Sequence, residues 1–155
     1  AQADPKPAEK GPARWEPHIQ KIEARLKEHP PKEGGVMFAG SSTVVLWDLK
    51  KFFPGKDYAN VGFGGSTIAE CTHFAPRTLL PYKPGVVVLA AGGNDLNAGA
   101  TPEKVAEDFD AFVKTVRQVS PGCRVVFVSV KPTVKRWAQQ DKITKLNELV
   151  KAACD

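Results

Sequence analysis

The chain has 155 residues, 42% of them hydrophobic and 25% charged, which fits one soluble globular domain and leaves little room for a second. No apolar run approaches the ~20 residues of a membrane-spanning helix, and the net charge of +5 comes from basic residues interleaved with acids, so neither a membrane span nor a nucleic-acid partner is expected. Neither a C-x-x-C pair nor a His pair at ligand spacing occurs, so no metal is expected.

Residues 1–14 are rich in Ala, Pro, Lys and Glu and are expected to be a flexible leader to a single α/β domain over 15–155. A first residue of Ala rather than Met reads as a mature exported protein, so a secreted or periplasmic location is expected. From Trp15 to Glu28, Ile19, Ile22 and Leu26 fall on one helical face, and Pro30-Pro31 stops the helix. Val36 to Ala39 is a short strand, Thr43 to Phe53 a helix ending before Pro54-Gly55, and Tyr58 to Val61 a second strand. Ile68 to Leu80 reads as a helix interrupted at Pro76.

Val86 to Ala90 is the near-continuous apolar run of a parallel strand buried on both faces. Thr101-Pro102-Glu103 then opens a helix, with Thr as cap and Pro in the first turn, that runs through Phe109 and Phe112 to Pro121-Gly122. Val125 to Val130 is a fourth strand and Asp141 to Ala153 a last helix. This alternation predicts a doubly wound parallel sheet with helices on both faces. Cys71, Cys123 and Cys154 are odd in number. Matched lengths of the fourth strand and the helix returning along it would bring Cys123 and Cys154 within disulfide reach.

In such sheets ligands bind beyond the carboxyl ends of the strands. Three loops there are rich in small and polar residues: Gly40-Ser41-Ser42-Thr43, Asn60-Val61-Gly62-Phe63-Gly64-Gly65-Ser66, and Ala91-Gly92-Gly93-Asn94-Asp95. A serine where a strand meets a helix start sits where backbone N–H groups and the helix dipole favour a developing oxyanion, and Ser42 meets that description. Glycines bring the backbone close to a bound group, and Asn94 carries an amide donor. Asp95 reads as a structural cap, and Trp47 as the tryptophan nearest an acyl group. A dinucleotide fingerprint fails at Thr67, where a third glycine would stand.

Together these three segments resemble the first three blocks of the SGNH (GDSL-type) hydrolases, in the family's order and spacing. The similarity runs from about Gly35 to Ala153 and includes Leu146-Asn147-Glu148-Leu149. It implies a flavodoxin-like three-layer α/β/α sandwich and hydrolysis of carboxylic esters, often acetyl or short acyl groups on carbohydrates or lipids, without a cofactor. Position by position it implies Ser42 as nucleophile, with the Gly65 N–H and the Asn94 side chain as oxyanion donors beside the Ser42 N–H. Ser41 and Ser66 stand where the family often has acidic residues.

The family's Asp-x-x-His block is absent, so the fold is expected to lack its last strand and helix and the esterase to be crippled. A non-catalytic binding module using the same pocket is the alternative. His18 and His29 lie on or just past the first helix, ahead of the sheet, and His73 on the helix after the glycine loop, so none of them is expected to serve as base. Strand 125–130 is expected to be an exposed edge through which chains self-associate.

Overall fold

Four short apolar strands pair in parallel in the order β2-β1-β3-β4, and the order sets which loops meet. The computed structural model describes residues 11–154. The strands are β1 (Val36–Gly40), β2 (Ala59–Asn60), β3 (Val86–Ala90) and β4 (Arg124–Phe127). β1 and β3 run in full register from Val36 beside Val86 to Gly40 beside Ala90, which puts the ends of both strands at one level. β3 has the bounds its apolar run predicts.

The helices are α1 (Glu16–Glu28), α2 (Ser42–Val45), α3 (Leu49–Phe52), α4 (Ile68–Thr78), α5 (Gly93–Asn97), α6 (Pro102–Val119) and α7 (Gln140–Ala153). α1, α4, α6 and α7 lie on the side of the sheet that presents Met37, Ala39, Val87 and Leu89 and form the main core with it. α6 supplies Val105, Phe109, Phe112 and Val116, spaced as one helical face and all buried. Burying a side chain the size of Phe112 contributes roughly 1.5–3 kcal/mol. The opposite face presents Phe38 and Ala90 to a smaller core built with Val44 and Leu49 from α2 and α3. Toward β4 that face opens: Val126 is 41% exposed on an edge strand.

Charge joins α1 to α4 on the outside. Arg77 donates to both Glu16 and Glu23 at 2.6–2.9 Å, and these bonds hold both carboxyls below their ordinary range. Arg14 donates to Glu70 at 2.9 Å.

Several expectations are corrected. The predicted helix over Thr43 to Phe53 is two single turns, because Trp47 turns its ring edge onto Phe38 (centroids 5.2 Å apart) and Asp48 caps α3 by accepting from the Lys51 N–H. Pro76 does not interrupt α4. It sits on the exposed side of the helix, where water can satisfy the carbonyl its missing N–H leaves free. The strand ending at Val130 stops at Phe127. Of the expected leader, residues 1–10 lie outside the described residues, whereas Pro12–Trp15 form a 3-10 turn.

Cys123 and Cys154 are not bridged, and all three cysteines are free. β4 has four residues, ~13 Å, and α7 fourteen, ~21 Å, so the two lengths are not matched. Cys123 is buried and Cys154 exposed past the helix end. Burial pushes the Cys71 thiol up to about 12 and raises that of Cys123.

The turn out of β1 is fixed by Gly40. Its φ is +140°, and a Cβ there would lie 2.2 Å from the Ala90 carbonyl oxygen of the neighbouring strand. Gly40→Ala is therefore expected to cost about 3 kcal/mol or more, read as a lowered urea midpoint at unchanged slope.

Candidate active site

The three small-residue loops meet at the carboxyl edge of the sheet, and hydrogen bonds lock them together. The Gly40 carbonyl accepts from the Phe63 N–H at 3.0 Å and from the Ser66 hydroxyl at 3.2 Å. The Ser66 carbonyl in turn accepts from Asn94 Nδ2 at 3.0 Å. Ser66 is fully buried, so it ties the loops after β1, β2 and β3 into one unit. The sequence marked it only as a departure from a family pattern.

Asn60 adds a second clasp. Its Nδ2 donates to the Val44 carbonyl at 2.6 Å while its Oδ1 accepts from the Gly62 N–H, holding the glycine loop against α2. Asp95 acts as a cap, as expected, but for another helix: its Oδ1 accepts from the Ile68 N–H at the start of α4, at 3.0 Å. The α4 start also carries a full capping box between Thr67 and Glu70.

Ser42 is the first residue of α2 and is exposed. Ser42 and Asn94 line one cavity of about 640 Å³, together with Leu46, Trp47 and Ile143. That volume suits a small-molecule ligand. Trp47 stands at this cavity. Gly65 is exposed with φ +84° and is not among the residues lining the cavity. Neither the Ser42 nor the Gly65 N–H donates to an acceptor among the described residues. Of these two donors only that of Ser42 stands at the cavity lining.

The far wall comes from the segment after β4. Asn147 on α7 accepts from the Val130 N–H and donates to the Val130 carbonyl, at 2.9 and 2.8 Å, which pins this segment beside Ser129 and Lys131. Arg136 reaches back from Val134–Gln139 to donate to the Gly93 carbonyl at 3.1 Å and to Asn94 Oδ1 at 3.2 Å. Sequence reasoning missed Arg136, since nothing local links it to a residue 42 positions earlier.

The three histidines stand elsewhere. His18 packs edge-on to Trp15, His73 to Phe74, and His29 lies next to Glu28 past the end of α1. None lines the cavity. Among the described residues no cluster of His, Cys, Asp and Glu could hold a metal ion, and no helix is long and apolar enough to cross a membrane.

Known proteins resemble this chain in sequence and in fold. The sequence model of the GDSL-like lipase/acylhydrolase family matches residues 40–155, which include all three loops. The chain is 28% identical over 149 residues to the platelet-activating factor acetylhydrolase IB subunit alpha2 of Gallus gallus. The match covers 92% of this chain and 63% of that protein, so the chain spans less than two thirds of that relative's length. A GDSL-like lipase from Bacteroides thetaiotaomicron superposes with a TM-score of 0.69 at 20% identity, over 92% of this chain and 72% of that one. A member of the lipolytic G-D-S-L family from Veillonella parvula gives 0.64 at 13% identity, over 76% and 70%. At these identities the two structures establish a shared fold.

Asp95 makes the site's scaffold sensitive to pH. Burial raises its pKa, the bond from the Ile68 N–H opposes that rise, and its Oδ2 has no partner among the described residues. With the folded pKa above the unfolded one, the contribution is full below the ordinary aspartate value of ~3.9 and is lost as pH rises through the folded value. Wild type is expected to gain stability relative to Asp95→Asn as pH is lowered from 8 to 4. Thermal unfolding across that range checks it, and parallel profiles would refute it.

Proposed function

The chain belongs to the GDSL-like lipase/acylhydrolase family, and from that premise we propose that it is a serine esterase acting on acetyl or short acyl carboxylic esters. The observation that carries this reading is the placement of Ser42 and Asn94 on one cavity at the carboxyl edge of the sheet. Acylated carbohydrates or lipids are the proposed substrate class. The apolar wall of Leu46, Trp47 and Ile143 suits an acyl chain of a few carbons.

In the proposed reaction the Ser42 hydroxyl adds to the ester carbonyl. The carbonyl oxygen takes up negative charge, which the Ser42 N–H and the Asn94 side chain at the cavity stabilise, with the Gly65 N–H as the third donor that the family pattern implies. Collapse expels the alcohol, which takes up a proton, and water then releases the acid from the acyl-serine. The Ser42 proton needs a base as the new bond forms. In the family that base is the histidine of an Asp-x-x-His block, and the residues lining this cavity include no histidine. Without a base, the oxyanion donors and binding leave roughly 10³ to 10⁴-fold over water.

That same observation supports a second reading, in which the pocket binds an acylated ligand without turnover. Hydrolysis of p-nitrophenyl acetate by wild type and Ser42→Ala separates the two. The esterase reading expects wild-type turnover above the buffer rate and an acetyl mass on Ser42 that Ser42→Ala lacks. Turnover at the buffer rate with no such adduct would favour the binding module. We further propose that chains self-associate through the open edge of β4. Light scattering is expected to show a mass that grows with concentration, and a constant monomer mass would exclude it.

A further inference from the structure

Asn94 has a carboxamide whose two ends are chemically opposite, so its value as a donor depends on which end faces the ligand. Its Nδ2 donates one hydrogen to the Ser66 carbonyl, leaving the second without a protein acceptor among the described residues. Its Oδ1 accepts from Arg136, whose other terminal nitrogen donates to the Gly93 carbonyl. Turning the amide over would set an NH₂ group against the guanidinium donors and a carbonyl against the Ser66 carbonyl. Both contacts would be repulsive.

We propose that Arg136 is a positioning residue that holds the Asn94 carboxamide in its donor orientation and polarises it, and this rests on the reading of Asn94 as an oxyanion donor. Three further features fit the role. No carboxylate pairs with Arg136 among the described residues, so its positive charge is not spent on an ion pair. Its backbone leaves helical geometry (φ −119°, ψ 24°) in the middle of the Val134–Gln139 turn. The guanidinium packs directly against the Gly93 backbone, where even a Cβ would meet a terminal nitrogen of Arg136 at 3.4 Å, an ordinary contact. A cation bonded to Oδ1 draws electron density from Nδ2 and makes the remaining N–H a stronger donor, at the atom where an oxyanion would need it. Arg136 touches no reacting atom in this scheme and works through Asn94.

The test reads the amide directly. In ¹⁵N-labelled protein the Asn94 side-chain pair, assigned by its disappearance in Asn94→Asp, is expected as two well-separated signals with slow hydrogen exchange. Arg136→Met should draw the two signals together and speed exchange about tenfold, the loss expected for one hydrogen bond to a charged group. Arg136→Lys should restore part of the separation. Arg136→Gln serves the same comparison should the Met variant fail to fold. With p-nitrophenyl acetate, Arg136→Met should lower kcat about tenfold at unchanged KM and have no further effect in an Asn94→Ala background. Asn94 signals unchanged by every Arg136 variant would overturn the proposal even if turnover depends on Ser42. Wild type that gains no acetyl mass on Ser42 would instead remove the esterase reading while the amide signals still report on Arg136.

Discussion

A buried backbone carbonyl must find donors, and the way the Gly40 carbonyl finds them organises this molecule. It sits at the last residue of β1, where the chain turns away from the sheet, and takes its bonds from Phe63 and Ser66 of the loop after β2. Because Ser66 then accepts from Asn94, the loop after β3 is fixed by the same short chain of bonds. Leaving a link unmade at buried Gly40 or Ser66 would strand a polar group away from water, so hydrogen bonds hold the site together alongside apolar packing.

Around this clasp the sheet divides the labour. The face toward α1, α4, α6 and α7 carries the larger core, and the edge loops ride on its rigid strands. The opposite face gives α2 and α3 only a small cluster, from which Trp47 reaches the cavity beside the exposed Leu46. A candidate nucleophile at the start of a single helical turn, backed by four packed helices, combines exposure of one hydroxyl with little freedom in the backbone beneath it.

Much of this was legible in the sequence for reasons that are local. Val86 to Ala90 declares a two-sided buried strand, Thr101-Pro102 declares a helix start, and the three loops combine glycines with polar tips at strand ends. What was not legible depends on residues far apart in the chain. The break after Val45 comes from the Trp47 ring finding Phe38, and continuity of α4 past Pro76 from the side of the helix on which the proline falls. Ser66 looked like a small residue after glycines, and Arg136 like one more surface cation. Each acquires meaning only when parallel pairing of β1 with β3 brings the loop ends together. The cysteine pairing failed for a related reason, since strand length is set by neighbours the sequence does not name.

The unequal fate of the three thiols has a practical side. Cys71 and Cys123 are shut in the interior with their thiolates disfavoured, while Cys154 stands in solvent just past α7. A maleimide dye added to the native protein would therefore settle at that single sulfur without prior removal of the others. From there, near Phe127 and Ser129, its fluorescence would report on whatever approaches the open flank of the sheet.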